Sequence, residues 1–439
     1  MTELPALPFH DRRAFALARL PDGSMLLPAA PLRFKNGDSE YRFRPDSELY
    51  YMTGWGQPDC VCLLRGFAEK QRFTLFVAER DPAAELWTGP RLSLDAVKER
   101  YGADAVLPLS ALEDECAHML TGGDRMYYRL GADVRCDRIV RDALRAGRGG
   151  RARSGVGPQV LADPGMILDT MRQRKDAGEL ARMRSAAEIT VASFASAMGS
   201  IAPGVGEWEI EAALESGFRR GGANGPSFST IVGSGQNGCT LHYVDNGSRL
   251  AEGDLVLMDA GAELDYYAAD ITRTVPASGT FEGAARDVYL AVLAAQKVGL
   301  DACRPGVTLE EIHDETTRVL IEGLIGLGAL QGTVDEALED RSFGTFYPHR
   351  TSHWLGLDTH DVGSYRSREG PIPLEPGMAF TVEPGLYFAP GSCPSVPALE
   401  GIGVRIEDDV VITEGGREVL TAALPTEPDE LERLLSGFR

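Results

Sequence analysis

No stretch of this chain approaches the apolar length that a membrane-spanning helix requires, so a helical span is excluded. Positive charge is also scarce. There are 44 Lys and Arg against 65 Asp and Glu, a formal net charge of −21, which favours solubility and argues against nucleic acid as a partner. Cysteine is sparse and unpatterned: seven residues, an odd count, with Cys60-Val-Cys62 too tight for a usual metal knuckle. Reduced thiols in a cytoplasmic protein are the expectation. The opening Met1-Thr-Glu-Leu-Pro has no basic segment followed by an apolar one, so no signal peptide is expected.

What remains is a soluble globular composition, 43% hydrophobic and 25% charged, over 439 residues. That length suits two domains better than one core. In the first part, residues 24–29, 61–64 and 72–78 read as strands, and 92–100 and 139–145 as helices, which implies a small α/β domain. Residues 144–163 are rich in Gly and Arg and read as a linker. Beyond them Asp176-Ala-Gly-Glu179 has capping-box spacing. Leu180, Met183, Ala187, Val191, Phe194 and Met198 follow at helical intervals. The boundary is placed near residue 172, giving domains 1–172 and 173–439.

The second part contains a repeat. Pro203-Gly-Val-Gly-Glu-Trp-Glu-Ile210 matches Pro305-Gly-Val-Thr-Leu-Glu-Glu-Ile312 at an offset of 102. Gly253-Asp-Leu-Val-Leu-Met-Asp-Ala-Gly261 matches Gly377-Met-Ala-Phe-Thr-Val-Glu-Pro-Gly385 at an offset of 124. The extra 22 residues fit the Gly- and acid-rich stretch around 328–341. Each half then reads as helices followed by antiparallel strands, with Asp259 and Glu383 at equivalent places and Asp270 and Glu407 on the strands that follow.

Most of these acids lie in or beside apolar runs (255–258, 379–382 and 404–406), and a buried acid is costly unless paired or bound to a cation. Asp259 ends the apolar run 255–258, where a turn cap is the ordinary explanation. A hairpin through Glu263-Leu-Asp-Tyr-Tyr267 brings Asp270 beside it, and two adjacent carboxylates repel unless protonated or metallated. Glu383 precedes Pro384 and is therefore held extended. Arg405 and Glu407 alternate along one strand face. His349, His353 and His360 fall within twelve residues, but Pro348 and the Trp354-Leu-Gly-Leu run argue against a regular helix there. His10, His118 and His313 have no such company and read as structural or surface residues. Four acids converging with the His353 imidazole suggest two divalent ions close together. Gly233-Ser-Gly-Gln-Asn-Gly238 fits a dinucleotide-binding string, yet Cys239-Thr-Leu-His-Tyr-Val244 reads as a strand rather than the helix such a site needs. A loop that approaches substrate, with His242 beyond it, is the better reading.

Together these strings closely resemble aminopeptidase P, the Xaa-Pro aminopeptidase family. The resemblance is carried by Thr230–Tyr243, Gly253–Gly261, Ala269-Asp-Ile-Thr-Arg-Thr274, Ser352-His-Trp-Leu-Gly-Leu-Asp-Thr-His-Asp-Val-Gly363, Thr381-Val-Glu-Pro-Gly-Leu-Tyr387 and Gly401-Ile-Gly-Val-Arg-Ile-Glu-Asp-Asp409. It reaches into the first domain through Asp38-Ser-Glu-Tyr41, Phe43–Gly54 and Leu86-Trp-Thr-Gly89. The resemblance implies an α/β N-terminal creatinase-like domain followed by an α+β pita-bread catalytic domain with a pseudo-two-fold repeat. It implies two divalent metal ions, usually manganese, with Asp259 chelating one, His353 and Glu383 holding the other, and Asp270 and Glu407 bridging. The implied reaction is release of the N-terminal residue from peptides with proline second, by a metal-bridging hydroxide, with Glu383 as proton shuttle. His242 and His349 would stabilise the intermediate or position the peptide, and His360, Tyr387 and Arg405 would line the proline side. Asp38 and Trp87 would reach a neighbouring subunit in a homo-oligomer, a tetramer or dimer. Pro348 and the Arg350-Thr351 pair depart from the family pattern at the pocket mouth. Prolidase, which cleaves Xaa-Pro dipeptides, is the main alternative, and a non-peptidase creatinase-type relative is a second.

Overall fold

In the computed structural model, which describes residues 4–437, the chain forms two compact units, Ala6–Met171 and the chain from Arg172 onward together with Leu4 and Pro5. The first is built on a six-stranded mixed sheet. Its order is Ala105–Pro108, Phe73–Val77, Cys60–Arg65, Gly23–Pro28, Arg125–Tyr127 and Val160–Ala162. The inner pairs are antiparallel, while both ends of the sheet are added in parallel.

The Gly- and Arg-rich linker expected at 144–163 is not found. Val134–Ser154 is one continuous helix, capped by the Asp133 carboxylate on the amides of Arg135 and Cys136 and ended by Gly155 in the left-handed conformation. Cys136, Ile139, Val140, Ala143 and Gly147 form its buried stripe, a 3.6-residue period that overrides the low propensity of the glycines. Gly147 is required there by close approach, since a Cβ would lie 2.6 Å from Pro158 Cδ.

The second unit repeats one motif twice. The helix pair Ala177–Met198 and Glu207–Arg220 precedes an antiparallel sheet ordered Ile231–Ser234, Leu255–Ala260, Ile271–Pro276. The pair Gly283–Ala302 and Leu309–Gly326 precedes a sheet in which Ala379–Val382 pairs with Asp408–Thr413, itself paired with Gly416–Val419. Residues 351–355 run antiparallel along the other side of Ala379–Val382. Their ladder is Glu383 N to Thr351 O (2.8 Å), Thr381 N to His353 O (3.0 Å) and Leu355 N to Ala379 O (3.1 Å). Each half therefore has a buried central strand flanked on both sides, with an acid near its C-terminal end: Asp259 one residue before the end of the first, Glu383 one residue past the end of the second. The additional chain of the second half includes the short helix Val334–Asp340, capped by Thr333 and Glu336. Phe194, Phe218, Met258, Tyr289, Leu324 and Phe388 belong to one continuous core spanning both halves.

Candidate active site

The first central strand, Leu255–Ala260, is buried on both faces, as its unbroken apolar run requires. Its register with Ile271–Pro276 sets Asp259 opposite Thr272 and Ala260 opposite Ile271, so Asp270 lies just past the paired end. In the other half Val382 pairs with Asp408, which leaves Glu383 and Glu407 at the matching mouth of the second sheet. The turn between Asp259 and Asp270 is tight, with Asp265 and Tyr266 both at positive φ.

All four acids and His353 line one cavity of about 560 Å³. Ligand atoms of Asp270, His353 and Glu407 all lie within 4.8 Å of one another. His353 Nε2 stands 3.5 Å from both Asp270 Oδ2 and Glu383 Oε1. Its Nδ1 meets the Trp354 carbonyl at 3.0 Å, a contact that places a proton on Nδ1 and aims Nε2 at the acids. Burial, then the charge of Glu407, holds the Asp270 carboxyl well above the usual carboxylate range. Burial, then Glu383 and Asp259, does the same to Glu407. Glu383 is raised by burial against the opposing pull of His353 and Arg405. Burial disfavours a charge on His353, yet Asp270 and Glu383 push its pKa up to about 9.

Two carboxylate oxygens, Asp259 Oδ1 and Asp270 Oδ1, are buried without a hydrogen-bond partner. Crowded acids with raised pKa values, orphaned oxygens and an imidazole whose Nε2 faces them have the chemistry of a donor set that could hold a divalent cation. The residues present fit the metal that such a site would take.

Around this cluster the other expected residues fall into two groups. His242, His349, His360 and Arg405 line the same cavity. The His360 ring packs edge-on against His353, with centroids 4.5 Å apart. Tyr387 sits behind them, joined to His349 Nε2 and to Arg405 Nη1 at 2.9 Å each. His349 Nδ1 meets the Arg350 carbonyl at 2.8 Å. Burial, reinforced by the Arg405 guanidinium, lowers its pKa to about 4, so the ring is neutral. Asp38 and Trp87 belong to the first unit and do not line this cavity. Trp87, on the short helix Pro82–Thr88, is 86% exposed.

The run Cys239–Val244 is not a strand. It follows a 3₁₀ turn over Gly235–Cys239 and has no ladder partner. Its alternation arises because Cys239, Leu241 and Tyr243 pack against Ile231, Leu257 and Tyr387, while the intervening side chains face outward.

Several functional neighbours escaped the sequence reading. Thr272 donates to Glu407 Oε2 at 2.6 Å and accepts from Arg405 Nε at 3.0 Å. Asp409 Oδ2 accepts the Asp270 amide at 3.1 Å. Asp361 is a structural acid, clamped by Arg172 at 2.5 Å and Lys175 at 3.0 Å. Thr351, half of the departure at the pocket mouth, turns inward to His313 and Tyr347, while Arg350 lines the cavity. The threonine and the second aspartate were in view, in Ala-Asp-Ile-Thr-Arg and Ile-Glu-Asp-Asp, but only pairing across the two halves gives them a task.

A duplicated unit with its acids at the ends of paired central strands is the pita-bread architecture of a metallopeptidase. Residues 181–414 match Metallopeptidase family M24, and residues 9–128 match the aminopeptidase P N-terminal domain. The chain belongs to metallopeptidase family M24 and carries the N-terminal domain of aminopeptidase P. It is 41% identical to the Xaa-Pro aminopeptidase of Escherichia coli (strain K12) over 100% of both chains. It is 36% identical to that of Haemophilus influenzae over 99% of both. Among solved structures it is similar to Pseudomonas aeruginosa aminopeptidase PepP, with TM-score 0.95, 41% identity, and 100% and 99% of the two chains covered. It is also similar to a Zn-substituted E. coli aminopeptidase P in complex with product, with TM-score 0.93, 41% identity and full coverage of both chains. The resemblance read from the motifs is thus borne out across both domains.

Proposed function

We infer that this chain is an Xaa-Pro aminopeptidase, removing the first residue from peptides whose second residue is proline. The observation that carries the reading is the convergence of four acids and one imidazole on one cavity, with Asp259 Oδ1 and Asp270 Oδ1 buried and unpartnered. Asp259, Asp270, His353, Glu383 and Glu407 would hold two divalent ions. An oxygen-rich set with a single imidazole suits manganese. Such ions supply acidified water and a polarised carbonyl.

The chain's own residues do the rest. Glu383, raised in pKa within reach of His353, takes the proton of the attacking water and returns it to the proline nitrogen as the C–N bond breaks. His349 has both ring nitrogens engaged, by Arg350 O and Tyr387 Oη, and so positions the peptide as a neutral wall. His242 is exposed at the cavity and free to meet a peptide carbonyl. His360 braces His353. Tyr387 and Arg405 form the wall on the proline side.

Asp38 and Trp87 are expected to act in a homo-oligomer, where the exposed Leu86 (82%) and Trp87 (86%) offer apolar surface to a neighbouring copy. Seven free thiols support a cytoplasmic setting. No described helix is long and apolar enough to cross a membrane.

The test compares a Xaa-Pro tripeptide with the dipeptide Gly-Pro on manganese-loaded protein. Turnover of the tripeptide supports the reading. Hydrolysis of the dipeptide alone makes the enzyme a prolidase. Elemental analysis below one transition metal per chain removes the paired site.

A further inference from the structure

We propose that Glu207 is a positioning residue for His242, an inference that rests on the reading above. Glu207 is fully buried at the first turn of the helix Glu207–Arg220. Its Oε1 accepts from the Ser234 amide (2.7 Å), the Ser234 hydroxyl (2.7 Å) and Asn237 Nδ2 (3.0 Å). Its Oε2 accepts from the Ser248 amide (2.7 Å) and the Tyr243 hydroxyl (3.0 Å). One carboxylate thereby holds residues 234–248 at both ends and twice in between. His242 lies inside that span, next to the anchored Tyr243.

His242 has no side-chain hydrogen bond among the described residues and its side chain is exposed, so the backbone at 242 sets which part of the cavity the ring can reach. Asn237 Nδ2 also reaches Tyr243 Oη (3.1 Å) and Ser248 Oγ (3.0 Å), closing the network. Five donors on a buried carboxylate make the anchor stiff.

The duplication shows that the fold does not need an acid here. The two helix starts align, and Glu209 and Glu311 each reach back to the amide three residues before them. At the position of Glu207 the second half has Leu309, an apolar core residue. The first half has a polar anchor where the second has a packing contact, on the side where a loop lines the cavity.

The test uses the metal-loaded full chain and a Xaa-Pro tripeptide. Glu207→Gln turns an acceptor into a donor facing amides that already donate. It should lower kcat by roughly tenfold with unchanged metal content, and speed amide hydrogen exchange in 234–248 but not in the Leu255–Ala260 strand. Tyr243→Phe, a milder change at the same anchor, should shift both readouts in the same direction. In a His242→Ala background each further loss of kcat should shrink to less than about twofold, because the ring being positioned is gone. Equal losses in both backgrounds would mean Glu207 acts only on stability and overturn the proposal, as would full activity in Glu207→Gln. Inactivity of the parent chain on any Xaa-Pro peptide instead defeats the functional reading, and is seen before any substitution is made.

Discussion

Arg405 Nη2 and Asp259 Oδ2 meet at 2.5 Å, both side chains buried, across the seam between the two halves of the duplicated unit. The same guanidinium holds Thr272 Oγ1 through Nε and Tyr387 Oη through Nη1. A planar guanidinium holds three partners in a fixed fork, whereas the three donors of an ammonium radiate from one point on a flexible stem. Arg405→Lys keeps the charge and loses the geometry. It should lower kcat/KM on a Xaa-Pro tripeptide by roughly 10- to 100-fold, about what one or two charge-assisted hydrogen bonds carry. A lysine variant with parental kcat/KM would show that charge alone suffices.

The acids strain the protein when no cation is bound. Asp270→Asn removes a buried carboxyl whose ionisation is opposed by burial and by Glu407. In chelator-stripped protein the substitution should raise Tm by a few degrees, while in metal-loaded samples it should lower both Tm and metal content. Calorimetry with and without manganese reads both signs. A lower Tm in the stripped variant would show that the acids are satisfied by the protein itself.

The same crowding gives a pH dependence with a definite direction. Asp270, Glu383 and Glu407 have raised pKa values in the metal-free fold, so the folded state holds more protons than the unfolded chain. Stability from these groups is lost as pH rises past the ordinary carboxylate range. His353, raised to about 9, adds stability that is complete below its ordinary value and lost as pH climbs through about 9. Stripped protein should therefore melt progressively lower from about pH 6 to about pH 9. Metal binding through these groups would expel the protons, so apparent affinity should rise with pH. Titration calorimetry in buffers of different ionisation heat measures the protons released, and none released would contradict the shifts.

Local signals carried much of this site. The apolar run ending at Asp259 marked a buried strand, and Pro384 marked the rigid placement of Glu383. The matched helix starts at Pro203 and Pro305 expose the duplication, and the duplication sets the acids in pairs from sequence alone. Contacts that join distant segments were not legible. Nothing near Thr272 in sequence indicates Glu407, and nothing near Asp409 indicates the Asp270 amide. Cys239–Val244 misled because one-sided packing in a loop produces the same alternation as a strand. The Arg- and Gly-rich stretch resembles a linker because its exposed faces carry the Arg and most of the Gly, while the buried stripe from Cys136 to Gly147 has only five residues.

That helix provides a stability test whose sign depends on position. Gly147, Gly149 and Gly150 all lie in Val134–Ser154, where alanine is intrinsically favoured by about 1 kcal/mol. At Gly149 and Gly150 a Cβ would meet nothing within 4 Å. Gly149→Ala and Gly150→Ala should each stabilise the first unit by about 0.5 to 1 kcal/mol. At Gly147 a Cβ would stand 2.6 Å from Pro158 Cδ and 3.0 Å from its backbone nitrogen, and a proline ring cannot rotate out of the way. Overpacking of that kind costs about 1 to 3 kcal/mol, more than the propensity gain. Gly147→Ala should therefore destabilise, although it is the same substitution in the same helix. Denaturant unfolding of the three variants decides it. Three changes of the same sign would mean that propensity rather than packing controls this segment, and that the glycine at 147 is incidental.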